Sequence, residues 1–109
     1  MRIEVITVPD CPNGPVLERR LAEVLSGRTE VQVERRVVAT VAQAERWGMH
    51  GSPTVLVDGR DPFATPGSTA SVSCRLYPAA DGTAQGAPSS GQLRQVLDGH
   101  PGDARVRRP

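Results

Sequence analysis

The segment "RIEVITVPDCPNGPVLERRLAEVL", residues 2–25, constrains this chain more than any other. Its first seven residues form an apolar run in which Ile3, Val5 and Thr7 alternate with Glu4, Ile6 and Val8. That pattern suits a strand covered on both faces. Seven residues later Val16, Leu17, Leu21, Val24 and Leu25 fall on one helical stripe, which stops at Ser26-Gly27. "PDCPNGP" lies between them and leaves no room for more than a tight connection. A strand handed directly to a helix needs a second strand to return to, and "VQVERRVV", 31–38, supplies a β-branched and roughly alternating candidate.

The remaining periodicities extend this alternation. Thr40 and Gln43 stand in capping-box spacing ahead of a second helix carrying Val41, Ala44 and Trp47 and ending near Gly48. "TVLV", 54–57, reads as a third strand closed by Asp58-Gly59, and "RDPFATPGSTAS", 60–71, as a loop or flap. "VSCRLYP", 72–78, returns as a fourth strand; with no helix intervening, it is expected to pair antiparallel with the third. The last helix opens at Ser89 with Gln92 three residues on, presents Leu93, Val96 and Leu97, and stops at Gly99. The order is β-α-β-α-β-β-α, an α/β fold with a four-stranded mixed sheet and three helices. Residues 1–99 form one domain and 100–109 a flexible C-terminal tail.

Composition removes several function classes. The 109 residues carry a net charge of +1, and all 13 basic residues are arginine, so no field strong enough to recruit nucleic acid arises. No apolar stretch approaches the roughly 20 residues that span a bilayer, and no signal-peptide pattern opens the chain, so the expectation is a cytoplasmic protein with no membrane partner. The two cysteines and two histidines form neither Cys-x-x-Cys nor a spaced zinc pattern. Neither a cofactor nor a metal site is expected from spacing.

Cys11 is the chemically conspicuous residue. A thiol at a helix start meets unpaired N–H groups and the positive end of the helix dipole, both of which favour the nucleophilic thiolate. Pro12 lacks an amide hydrogen, which leaves Asn13 and Gly14 as donors. Downstream, "GSPT", 51–54, places Pro53 at a strand start, and Cys74 lies within "SCRLY". If Val72, Cys74 and Leu76 share the core face, the Cys74 thiol is shielded. His50 reads as a loop histidine, Asp61 before Pro62 as a turn cap, and Arg60 and Arg75 as surface arginines able to meet an anion.

With its strand order, "CPNG", "GSPT" and "SCRLY", the chain resembles the thioredoxin-like superfamily over nearly its whole length to Gly99. The resemblance implies a nucleophilic Cys11, a cis Ser52–Pro53 bond facing it, and substrate contacts from Pro12, Asn13, Gly14, Ser52, Pro53 and Thr54. It departs from the dithiol pattern, since Gly14 occupies the place of the second cysteine. Cys74 is then the candidate resolving thiol, and the implied activity is thiol–disulfide exchange with a protein or low-molecular-weight thiol. Related stretches also resemble alkylmercury lyase, which keeps a soft metal ion such as mercury or copper(I), held by both thiols, as an alternative. A redox-inert binding module of the same fold is the third reading.

Overall fold

The computed structural model describes residues 1–79 and 81–99; the expected tail at 100–109 lies outside the described residues. The chain is α/β. Its elements are β1 (Arg2–Thr7), α1 (Gly14–Leu25), β2 (Gln32–Val37), α2 (Val41–Trp47), β3 (His50–Ser52), β4 (Thr54–Val57), β5 (Ser71–Cys74), β6 (Tyr77–Pro78), β7 (Ala84–Gln85) and α3 (Ser90–Asp98).

β1 is the central strand of a sheet ordered β2-β1-β4, parallel to β2 and antiparallel to β4. Its alternation feeds two cores. Ile3 and Val5 join Val55 and Val57 beneath Leu17, Leu21 and Val24 of α1 and Leu93 and Leu97 of α3. On the opposite face Ile6 and Leu56 pack with Val38, Ala44 and Met49. The strand is thus covered on both sides, as its unbroken apolar character requires. Glu4 is buried on this second face, where Arg2 meets it at 2.6 Å and Arg36 at 3.9 Å.

The helix ends follow local chemistry. The Ser89 side chain accepts from the Gln92 N–H at 3.0 Å while Gln92 Oε1 accepts from the Ser89 N–H at 2.9 Å, a reciprocal capping box. Thr40 caps α2 through the Gln43 N–H, but the Gln43 side chain reaches the Ala39 N–H instead. Ser89→Ala is expected to lower stability by about 1 kcal/mol, read as a lower urea midpoint at unchanged slope. An unchanged midpoint would show that the cap contributes nothing.

Two expectations need correction. The main sheet has three strands rather than four, and the "VSCRLYP" segment does not pair with β4. It divides into β5, which runs parallel to β3, and β6, which forms a small antiparallel pair with β7. The reason is chain length between strands. After the Val57–Arg60 bridge the segment to residue 70 is long enough to carry the chain back without a helix, so β5 enters alongside β3 in the same direction. The Ser71 N–H donates to the Met49 carbonyl and the Arg75 N–H to the Ser52 carbonyl, both at 3.1 Å.

Loop 60–71 is tied to the body of the protein. Asp61 binds Arg75, Phe63 packs edge-on against the Tyr77 ring at 5.3 Å, and Ser68 and Thr69 meet His50 Nδ1 at 3.2 and 3.1 Å. His50 is therefore a partly buried residue of β3 rather than a loop histidine.

Candidate functional site

Cys11 sits between β1 and α1, half-buried, as a free thiol. Two successive turns hold it: the Cys11 N–H donates to the Val8 carbonyl at 3.3 Å, and the Gly14 N–H donates to the Cys11 carbonyl at 3.2 Å. This overturns one expectation. The Gly14 N–H is engaged by the backbone and is not a donor toward the thiol. Pro12 stands ahead of the helix, and Pro15 instead occupies its first turn. Asn13 is the N-cap and makes no side-chain capping bond. Its amide lies over Gly86, where an added Cβ would fall 2.2 Å from Asn13 Nδ2. That contact joins the Cys11 turn to the segment before α3. Arg20 strengthens the join by donating to the Ala87 and Pro88 carbonyls at 3.3 and 3.0 Å.

Ser52, Pro53 and Thr54 are buried beside this turn, and the Ser52–Pro53 peptide bond is cis. Ser52 Oγ accepts from the Val8 N–H at 3.0 Å, which places the proline segment against the strand that leads into Cys11. The Thr54 hydroxyl donates to the Gly51 carbonyl at 2.6 Å and so is structural. Gly51 has φ +102, and a Cβ there would lie 2.8 Å from that of Arg75. Glycine is required by both backbone and space.

The residues that local patterns missed lie behind Pro53. Arg75, read from sequence as a surface arginine, is partly buried, with its side chain only 10% exposed. Its guanidinium binds Asp61 through both nitrogens at 2.6 and 3.3 Å and also reaches the Phe63 carbonyl at 2.8 Å. Asp61 does cap its turn through the Phe63 N–H, as expected, and carries the ion pair in addition. Tyr77 lies under Arg75, with the guanidinium carbon 4.7 Å from its ring centre, and its hydroxyl donates to the Pro53 carbonyl. Burial holds the Tyr77 phenol protonated well above its ordinary 10.0; Arg75 opposes this, while Asp61 and Cys11 reinforce it.

The sign of this shift gives a pH prediction. A raised folded value means the contribution is fully present below the unfolded value near 10 and is lost as pH rises through the folded one. Tyr77 is the sole tyrosine, so phenolate absorbance reports it alone. Its appearance is expected above pH 10 and together with unfolding. Titration at the ordinary value in folded protein would refute the burial argument.

Cys74 is exposed, and the expected alternation resolves against shielding: Arg75 and Tyr77 turn inward while Cys74 and Leu76 face out. It is the register partner of Ser52, on the strand neighbouring the proline segment. Both thiols are free. Among the described residues no group of three or more His, Cys, Asp or Glu side chains comes together in a way that would hold a metal ion. No described helix is long and apolar enough to cross a membrane.

On its other side Cys11 opens onto a cleft of ≈ 300 Å³, bounded by Pro9 and Gly14 and by Glu18, Arg35 and Val37. Its floor is apolar strand β1 and its rim carries charge of both signs. The arrangement leaves a half-exposed thiol lining this cleft, on a turn whose preceding Val8 N–H is held by Ser52. The sequence matches no protein-family model and no curated protein.

Proposed function

We propose that this is a thioredoxin-like protein in which Cys11 is the nucleophile of thiol–disulfide exchange with a protein or low-molecular-weight thiol. The observation that carries the reading is the placement of Cys11. It is a half-exposed thiol at the strand-to-helix turn, tied through Val8 to the Ser52–Pro53 segment. The β1-α1-β2 unit, with β4 antiparallel to β1, supports the fold assignment. The parallel β3-β5 pairing departs from the antiparallel pairing expected of this fold.

In the exchange the Cys11 thiolate attacks one sulfur of a disulfide RS–SR′. A Cys11–SR bond forms, the S–S bond breaks, and R′S⁻ leaves and takes a proton from water. A second thiolate then attacks the Cys11 sulfur and releases RS⁻, leaving Cys11 oxidised in a new disulfide. Cys74, exposed beside Ser52, is the candidate for that second thiol. If it acts so, Cys74→Ser exposed to glutathione disulfide accumulates a glutathione adduct on Cys11 by intact mass, whereas the wild type clears it and loses two hydrogens. Equal accumulation in both proteins would remove Cys74 from the mechanism.

A further inference from the structure

β2 is an outer strand of the three-stranded sheet, bonded on one side to β1. The Gln32 and Val38 N–H groups donate to the Met1 and Thr7 carbonyls at 3.0 and 2.8 Å. In a parallel ladder this aims the backbone groups of even-numbered residues at β1 and those of Val33, Arg35 and Val37 away from it. Among the described strands none pairs with that outer edge. Side chains follow the same parity. Arg35 binds Glu18, so Val33, Arg35 and Val37 share the α1 face. Arg36 stacks on Trp47 with its guanidinium carbon 3.5 Å from the ring centre, so Gln32, Glu34 and Arg36 share the α2 face. Val33 is 48% and Val37 63% exposed, beside the unpaired backbone. An open strand edge with flanking apolar side chains is a template for another strand.

We propose that this edge pairs with the same edge of a second copy of the chain. The two β2 strands run antiparallel about a two-fold axis at Arg35 and join two three-stranded sheets into one. A two-fold perpendicular to the sheet keeps facing side chains on one face, so facing residue numbers sum to an even value. Centred on Arg35, the register sets Val33 against Val37 of the second copy, with the backbone groups of both turned toward the interface. The same register sets Glu34 against Arg36. Moving the centre to residue 34 opposes Glu34 to Glu34, and moving it to 36 opposes Arg36 to Arg36. Of these three neighbouring registers, the Arg35 centre alone pairs opposite charges at both flanking positions while stacking valine on valine.

Charge on an edge strand ordinarily keeps strands apart. Here it is complementary. Glu34 stands beside the like-charged Glu4 in the β1–β2 register, and an arginine from the second copy supplies the opposite charge it faces. The two Arg35 residues on the axis each carry their own Glu18. The pairing also bears on the cleft, because Val37 forms part of its wall and Val33 of the second copy would extend that wall beside Cys11.

The test is sedimentation velocity of the wild-type chain from about 10 µM to about 1 mM, a range suited to a small interface. A concentration-dependent dimer is expected. Glu34→Arg, at an exposed site, is expected to weaken it at least about tenfold with an unchanged circular dichroism spectrum. In a Cys11→Ser, Cys74→Ser background, Arg35→Cys is expected to form a disulfide-linked dimer about tenfold faster than Glu34→Cys. Facing Cα atoms of a hydrogen-bonded antiparallel pair lie about 5.5 Å apart, within disulfide span, whereas residue 34 faces residue 36. A monomer throughout the range, a dimer indifferent to Glu34→Arg, or equal cross-linking at the two positions would each overturn the proposal.

Discussion

Cys11→Ser is expected to abolish formation of a mixed disulfide with glutathione disulfide at the strand-to-helix turn. The loss at this position is complete, because a serine hydroxyl has no sulfur with which to form a disulfide. The fold should survive. The residue is half-buried, the substitution changes one atom, and its backbone bonds to Val8 and Gly14 do not involve the side chain. The decisive readout is the rate of adduct formation by mass, with peptide mapping to separate Cys11 from the exposed Cys74. Undiminished adduct at Cys74 alone would be accessibility without a nucleophilic site. A wild-type Cys11 that forms no adduct would sink the exchange reading whatever the oligomeric state.

The second large effect concerns stability. Asp61→Ala is expected to destabilise the protein by about 3–5 kcal/mol, since it leaves the Arg75 guanidinium buried without its counter-charge. The side chains are only 10% and 8% exposed, so solvent screens the pair little. The Phe63 carbonyl and Thr54 hydroxyl, at 2.8 and 3.4 Å, still accept from Arg75 but supply no charge. Asp61→Asn should fall between the two, because the amide oxygen retains one acceptor. Urea unfolding measures both. A loss under about 1 kcal/mol for Asp61→Ala would mean that water reaches Arg75 once the carboxylate is gone. The same pair is linked to the proline segment, since Arg75 lies over Tyr77 and the Tyr77 hydroxyl donates to the Pro53 carbonyl.

The sequence revealed elements whose chemistry is local. β1, β4 and the three helices stand where periodicity and capping predicted them, because a cap is satisfied within four residues and a core stripe repeats within one turn. α2 is the weaker case. Of its expected apolar face, Ala44 is buried, Trp47 is half-covered and Val41 is 49% exposed. The partner of β5 was not legible, because a connection without a helix can be a hairpin or a crossover, and residues 58–70 make it the latter. Arg75 escaped for a related reason. With apolar Val72, Cys74 and Leu76 on the expected core face, alternation turns Arg75 outward, and its partner Asp61 lies on a loop 14 residues away.

The placement of Cys11 at a strand-to-helix turn was determined by sequence alone, since an apolar strand, a proline- and glycine-rich turn and an amphipathic helix follow one another without a gap. The tertiary structure decided what surrounds that thiol. The Ser52 hydroxyl reaches the Val8 N–H, the pairing of β3 with β5 sets Cys74 beside Ser52 on the exposed side, and the largely enclosed Asp61–Arg75 pair lies over Tyr77, whose hydroxyl donates to the Pro53 carbonyl. Contacts within a turn of helix are encoded by neighbours in the chain. Contacts across a loop depend on which closure buries the most apolar surface while satisfying every backbone donor and buried charge, and that choice is made by the whole fold at once.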